Sequence, residues 1–271
     1  MTLPAIKGPI FEFYMPNTPL LGLLSIPHSG EWIPSEFEPY LSGDHLAYQE
    51  DVDFAVNQLV DIEKLTQNGI AVLVARVHRI CVDLNRSPDL TILNWKLNTH
   101  GKTLVVKEPE KHEVEILKGL YYFPYFEMMK AMITELQRTK KMASIVDLHS
   151  MPSKPTDYHL KITPNQELTR PDFCISDIKG LSCEKIYIDY ISELFQKQNF
   201  KVYQNNPYFG GHITRHIHDQ FQNKNNIQIE INRALYMDES KKDLIPSLAM
   251  PLKLKITDNL INLFQKFNYP K

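Results

Sequence analysis

Residues 20–31 read LLGLLSIPHSGE, and the first seven of them decide the fold class. The apolar run from Leu20 to Ile26, broken only by Gly22, is too short for a helix and reads as a buried strand. Pro27 stops the ladder because it has no N–H to give. His28-Ser29-Gly30-Glu31 therefore falls on the loop past the strand's carboxyl end, the edge along which open α/β sheets bind ligands. An imidazole and a carboxylate three residues apart on a tight loop can close on one metal ion. Zinc takes those ligand types in catalytic sites and keeps one position open for water. The same spacing recurs at His112-Glu113-Val114-Glu115, but that stretch is charged, helix-forming and preceded by no strand, so it reads as a solvated helix face.

Downstream, an apolar stripe of Phe54, Val56, Leu59, Val60 and Ile62 predicts a helix from about Tyr48 to Thr66, ended by Gly69. Ile70 to Ala75 is a second buried strand. Strand, helix and strand within some sixty residues make a βαβ unit, which implies an α/β fold with a parallel twisted sheet. Upstream, the Pro-rich residues 1–19 read as an irregular arm.

Arg76 to Pro88, RVHRICVDLNRSP, places Val77, Ile80 and Val82 in a strand-like pattern among charged residues. Residues 89–109 read as a long excursion with a hairpin, and helices follow over Glu110–Lys118 and Pro124–Lys141. Ala143–Leu148 is the next buried strand, ending in Asp147-Leu148-His149-Ser150, where alternation puts Asp147 and His149 on one face. Phe173–Ser176 and Lys201–Tyr203 are short strands. Between them lies a helix over Cys183–Gln198 with Ile186, Ile188, Ile191 and Leu194 inward. Asn205–Arg215 is a glycine-containing loop, Ile227–Ile231 a last central strand, and Leu252–Phe267 a closing amphipathic helix.

The 271 residues carry a formal net charge of −2 and no strongly basic block, which gives nucleic acid no electrostatic footprint. No apolar run approaches a membrane span and no signal-like segment opens the chain, so the expectation is a cytoplasmic protein with no membrane partner. Cys81, Cys174 and Cys183 are odd in number and lack C-x-x-C spacing. They read as small core residues rather than disulfides or a zinc knuckle.

A zinc hydrolase needs three protein ligands, a base for the water, and cations for the substrate. His149 joins His28 and Glu31 as the third candidate ligand, with Asp147 able to orient a ligand from behind. Glu230, a carboxylate inside the apolar strand IQIEINR, is expensive to bury unpaired. A general base is one reason to keep it; a buried ion pair with Arg233 is the other. Arg79, Asn85 and Arg86 cluster after a strand and suit an anionic substrate, since arginine grips carboxylates with a bidentate fork. Arg215, beside Gly210 and Gly211, offers a second anion contact on a flexible substrate-contacting loop. His212, His216 and His218 form a rival metal cluster, but without the Glu of H-E-x-x-H its mechanism is missing.

Five stretches in this order resemble the N-formylglutamate amidohydrolase family: SIPHSGEWIP (25–34), RVHRICVDLNRSP (76–88), DLHSMPS (147–153), PYFGGHITRHI (207–217) and QIEINRALYMDE (228–239). More distantly the arrangement is similar to zinc carboxypeptidases and aspartoacylase-like deacylases. The resemblance implies one domain over 1–271 with a three-layer αβα architecture around a mixed, mostly parallel twisted sheet, of phosphorylase/hydrolase-like or zinc-exopeptidase-like form. It implies zinc held by His28, Glu31 and His149, a substrate carboxylate held by Asn85 and Arg86, and Glu230 as base; Arg79, a further catalytic candidate, has only an approximate counterpart there, and Gly211 and Arg215 stand as substrate contacts on the loop reading above. The implied reaction is hydrolysis of N-formyl-L-glutamate to formate and L-glutamate, the last step of one histidine-degradation route. Two alternatives remain open at this point: a related zinc hydrolase of another N-acyl amino acid or short peptide, and a non-catalytic module that binds acidic small molecules.

Overall fold

The short apolar runs pair into one mixed sheet. The computed structural model describes residues 5–268. The strands of that sheet are β1 (Ala5–Lys7), β2 (Phe11–Tyr14), β3 (Gly22–Ile26), β4 (Ile70–Ala75), β5 (Ser144–Met151), β6 (Phe173–Ser176), β7 (Val202–Gln204) and β8 (Asn226–Asn232). They lie in the order β1-β2-β4-β3-β5-β8-β6-β7. The four central strands β4, β3, β5 and β8 are parallel, as the βαβ reading requires. β2 and β6 join them antiparallel, and β7 runs parallel to β6.

The helices are α1 (His45–Tyr48), α2 (Ile62–Gln67), α3 (Lys111–Leu117), α4 (Phe123–Thr139), α5 (Asp157–Ile162), α6 (Lys185–Gln196), α7 (His212–Phe221) and α8 (Pro246–Lys266). Leu65 of α2, Tyr187 and Ile191 of α6, and Leu260 and Phe264 of α8 pack with Leu24, Val72, Val146 and Ile229 on one face of the sheet. Tyr125, Met129 and Ile133 of α4 and Ile213 and Ile217 of α7 pack with Leu23, Ala71, Leu73 and Ile145 on the other. The result is the expected three-layer αβα arrangement.

Several elements differ from the sequence reading. The proline-rich arm includes two strands, β1 and β2, that extend the sheet edge. Between 76 and 88 no strand forms; Val77 and Val82 make only isolated bridges, to Trp32 and Ile92. Ile186 is exposed and Tyr187 takes the inward position on α6. The loop expected over 205–215 turns into α7 at His212, and α8 begins six residues before Leu252 is reached, at Pro246. The most consequential difference is the helix expected over 48–66. It is broken into α1, a 3-10 turn at Val56–Leu59, and α2. Asp61 restarts the helix by accepting from Lys64 N at 3.0 Å, an N-cap that competes with helix continuation. Ala55 lies at φ 57°, in the left-handed region. The break delivers the segment Asp51-Val52-Asp53 to the interior, where Asp53 N donates to His28 O at 3.1 Å.

The α4/α7 face of the sheet changes character along the strands. Near their amino ends it is apolar, with Leu23 and Ile145; near their carboxyl ends it carries Ser25, Asp147, His149, Gln228 and Glu230, all buried. Strand alternation keeps these side chains on one face. The polar floor is thus part of the sheet itself, because β5 continues through His149 to Met151.

Gly30 fixes how the loop after β3 lies against the segment after β4. Trp32 N donates to Arg76 O at 2.9 Å and His78 N to Trp32 O at 2.7 Å. An added Cβ at Gly30 would strike the backbone of Arg76 and Val77. Backbone cannot swing aside as a side-chain tip can, so Gly30→Ala is expected to destabilise the fold by about 1–3 kcal/mol. A denaturant titration checks this; an unchanged midpoint would mean the two segments are not held this close.

Candidate active site

His28 sits on the loop after β3 and His149 within β5, and both are almost fully buried. Their Nδ1 atoms converge on one oxygen: Asp53 Oδ2 lies 2.9 Å from His149 Nδ1 and 3.7 Å from His28 Nδ1. His28 Nδ1 has no hydrogen-bond partner. The opposite ring nitrogens are each held by a carboxylate, His28 Nε2 by Asp83 Oδ1 and His149 Nε2 by Asp147 Oδ2, both at 2.8 Å. A carboxylate behind each imidazole fixes the tautomer that leaves the front nitrogen's lone pair for a metal ion. Two imidazoles and a carboxylate whose donor atoms lie within 4.8 Å of one another form the only such group among the described residues. Donor set and orphaned nitrogen both fit a divalent cation of the zinc type.

Asp83 organises one side of this nest. Its Oδ1 takes His28 Nε2 and the Asn85 backbone N–H, and its Oδ2 takes Arg79 Nη2 at 3.0 Å and Trp95 Nε1 at 2.8 Å. Burial alone would raise its pKa, but the charges of Arg79 and His28 hold it well below the usual carboxylate range. Asp53 behaves alike: against burial, the hydrogen bond to His149 and the nearby His28 imidazole hold its pKa well below the usual carboxylate range. Asp53 Oδ1 also meets Arg233 Nη2 at 3.3 Å. Substituting Asp83→Asn is expected to weaken metal retention by about 10–100-fold, the usual cost of losing a carboxylate behind a ligating imidazole. Metal analysis after dialysis against graded chelator measures it, and unchanged retention would remove Asp83 from this role.

Glu230 lies on β8 directly opposite His149 in the sheet register. Its Oε1 accepts from Gln228 Nε2 at 2.7 Å. Burial pushes its pKa up to about 7, with His149 opposing and Asp53 adding to the rise. The ion pair with Arg233 does not form: Arg233 spends its guanidinium on Asp53, Ser150 Oγ and the carbonyls of Glu50 and Val52. A buried carboxylate without a cation partner, poised near neutrality, suits proton transfer.

His28, Asp53, His149, Glu230, Arg79, Asn85, Arg86 and Gly211 all line one cavity of about 1010 Å³. Asn85 Oδ1 accepts from Ile213 N at 2.9 Å and so holds the amino end of α7. Gly211 leaves room for that amide, because a Cβ there would overlap it. Arg79 and Arg86 stack on Trp95, with guanidinium carbons 5.4 and 5.6 Å from the ring centroid. Two expected residues are not brought here. Glu31 is exposed on the loop after β3, and Arg215 is exposed on α7. Neither lines the cavity; Asp53, not Glu31, is the carboxylate that faces the two imidazoles. The histidines of α7 do not form the rival metal group; His212 Nε2 meets Tyr122 Oη at 3.1 Å. The three cysteines are buried thiols, as expected.

Fold and site together set a buried carboxyl group beside a histidine–aspartate nest on a mixed αβα sheet, an arrangement suited to metal-assisted hydrolysis. Comparison with known proteins sets the family. The chain belongs to the N-formylglutamate amidohydrolase family, whose model matches residues 21–237. It is 25% identical over 243 residues to the N-formylglutamate deformylase of Pseudomonas putida, covering 86% of each chain. To that of Pseudomonas aeruginosa it is 24% identical over 246 residues, covering 85% of this chain and 86% of the other. The crystal structure of an N-formylglutamate amidohydrolase from Ralstonia eutropha superposes with a TM-score of 0.80 at 22% identity, over 96% of this chain and 99% of that one. A gene product of Agrobacterium tumefaciens gives 0.65 at 18% identity, over 94% and 96%. Both share this fold. No described helix is long and apolar enough to cross a membrane.

Proposed function

We propose that this protein hydrolyses the formyl C–N bond of N-formyl-L-glutamate, giving formate and L-glutamate, with a divalent metal ion of the zinc type held by His28, Asp53 and His149. The observation that carries the reading is the Nδ1 atoms of two buried imidazoles facing one buried carboxylate, with a carboxylic base one strand away. When bound, such an ion supplies Lewis acidity, lowering the pKa of a water toward neutrality and polarising a carbonyl.

The chain's own residues do the rest. Glu230 takes a proton at its carboxylate from the attacking water and later returns one to the leaving amine nitrogen. Asp83 and Asp147 hold the imidazoles in the ligating tautomer. Arg79 is kept charged, since against its burial Asp83 and Asp53 raise its pKa further, and it stands on the cavity wall where an oxyanion would form. Asn85, whose Nδ2 lies 3.4 Å from Gln228 Oε1, and Arg86, whose Nη1 bonds Asn85 O, line the same cavity and suit the substrate's α-carboxylate.

The test is formate release from N-formyl-L-glutamate by metal-loaded protein, against a panel of other N-acyl amino acids. Preferred turnover of the formylglutamate supports the reading. Turnover of a different acyl amino acid would keep the hydrolase and change its substrate, and a protein that binds a metal ion yet cleaves none of the panel would overturn the reading.

A further inference from the structure

Four arginines line the cavity, and they are not alike. Arg233 is saturated by Asp53, Ser150 and two carbonyls. Arg79 uses both terminal nitrogens, on Asp83 and Asp51 O. Arg86 is only partly buried and bonds Asn85 O. Arg170 is 4% exposed, yet its single side-chain hydrogen bond is from Nη1 to Tyr208 Oη at 2.5 Å. Its Nε and Nη2 are buried without a partner, and no carboxylate among the described residues forms an ion pair with it. Leaving charged N–H groups desolvated and unpaired is costly. A ligand carboxylate would satisfy both at once.

The neighbours extend this reading. The Arg170 guanidinium stacks 5.1 Å from the Tyr208 ring centroid. Thr156 N–H donates to His159 Nδ1 at 3.2 Å, so the His159 proton is on Nε2, which lies 3.2 Å from Tyr208 Oη. Burial lowers the His159 pKa to about 4, so this ring is neutral and of one tautomer. The Tyr208 oxygen thus accepts from Arg170 and from His159. Its own hydrogen remains to donate, and burial holds its pKa up at about 12. Tyr208 thus grips Arg170 through Nη1, and Nε–H and Nη2–H, on the opposite edge of the guanidinium, form a two-donor fork for an anion.

Its position suits a substrate with two carboxylates. Arg170 and Tyr208 line the same cavity as Glu230 and Arg86. Arg86 suits the α-carboxylate; a second carboxylate needs a second cation.

We propose that the Nε–Nη2 edge of Arg170, held in place by Tyr208 through Nη1, seats the distal carboxylate of the substrate and selects acidic side chains over neutral ones. This rests on the function proposed above. The experiment compares N-formyl-L-glutamate with N-formyl-L-glutamine, and the binding of L-glutamate with that of L-glutamine, in wild type, Arg170→Met, Arg170→Lys and Tyr208→Phe. Arg170→Met is expected to lower kcat/KM and affinity for the glutamate compounds by about 100-fold, and to change those for the glutamine compounds by less than about threefold. Arg170→Lys should restore part of the preference, and Tyr208→Phe should lose part of it.

Equal losses on both side chains would make Arg170 a wall residue and overturn the seat, as would a wild type with no preference for glutamate. Should Arg170→Met not fold, the Lys and Phe variants carry the same comparison. If wild type releases no formate but Arg170→Met selectively weakens L-glutamate binding, the proposed reaction falls and the seat stands. If formate is released and the preference survives the substitutions, the seat alone falls.

Discussion

Glu230→Gln should release formate from N-formyl-L-glutamate about 10²–10⁴-fold more slowly than the wild type, the span that a general acid–base group contributes, while keeping its metal ion. The substitution is isosteric and Gln228 Nε2 still finds an oxygen at its present 2.7 Å partner. Glu230 holds no arginine in place, because Arg233 is committed to Asp53, Ser150 and two carbonyls. The loss therefore falls on proton transfer rather than on the cavity's shape. Its pH profile gives a second readout. Below its pKa the base carries a proton and cannot take another, so activity falls as the pH is lowered. The acid limb is expected at or below about 7, the value set chiefly by burial, with a bound cation drawing it down.

Stability moves in the opposite sense. Glu230's pKa rises from 4.5 in the unfolded chain to about 7 in the fold. Between those values the folded protein binds a proton that the unfolded chain has lost. Stability from this group is thus fully present below 4.5 and is lost as the pH rises through 7. Glu230→Gln removes that slope, so its melting temperature should gain on the wild type as the pH goes from 4.5 to 8. A variant that turns over at the wild-type rate would remove Glu230 from the chemistry, whatever its stability.

Most of the sheet is legible in the sequence, because buried parallel strands are short, nearly continuous apolar runs. β3, β4, β5 and β8 each announce themselves so. His149 and Glu230 stand out for the converse reason, as polar groups within such runs. Asp53 does not. The spacing of Phe54, Val56, Leu59 and Ile62 imitates a helix face, and under that reading Asp51 and Asp53 are ordinary helix surface. Asp61, three residues before the Lys64 N–H that it caps, is the local signal that the helix starts afresh. Read as an N-cap, it would have released 49–60 to be loop. Glu31 attracted attention by its spacing from His28 alone, whereas its direction is set by Gly30 pressing on a backbone 46 residues away, at Arg76, which no local pattern contains. Arg170 had no signal at all. It lies between Thr169 and Pro171 in a stretch without periodicity, and only the fold sets it beside Tyr208.

The two carboxylates also separate most sharply by experiment. Asp53→Asn should strip the protein of most of its metal on dialysis, and with it all measurable formate release, whereas Glu31→Gln should be indistinguishable from wild type in both. Asp53 Oδ2 is the oxygen to which both imidazoles turn, and a neutral amide there removes the negative charge that draws the cation. Glu31 is exposed and off the cavity wall, where one charge among many changes little. Asparagine is preferred to alanine because Asp53 Oδ1 also faces Arg233 Nη2 at 3.3 Å, and breaking a buried ion pair by truncation costs about 3–5 kcal/mol. The amide oxygen keeps a partner for that guanidinium, so the readout stays on metal content. Metal analysis, melting temperature and formate release on the same preparations distinguish the cases. Loss of metal with the fold intact places Asp53 among the ligands. Loss of metal from Glu31→Gln with retention in Asp53→Asn would return the site to the loop after β3 and leave the His28–Asp53–His149 nest a buried hydrogen-bond network.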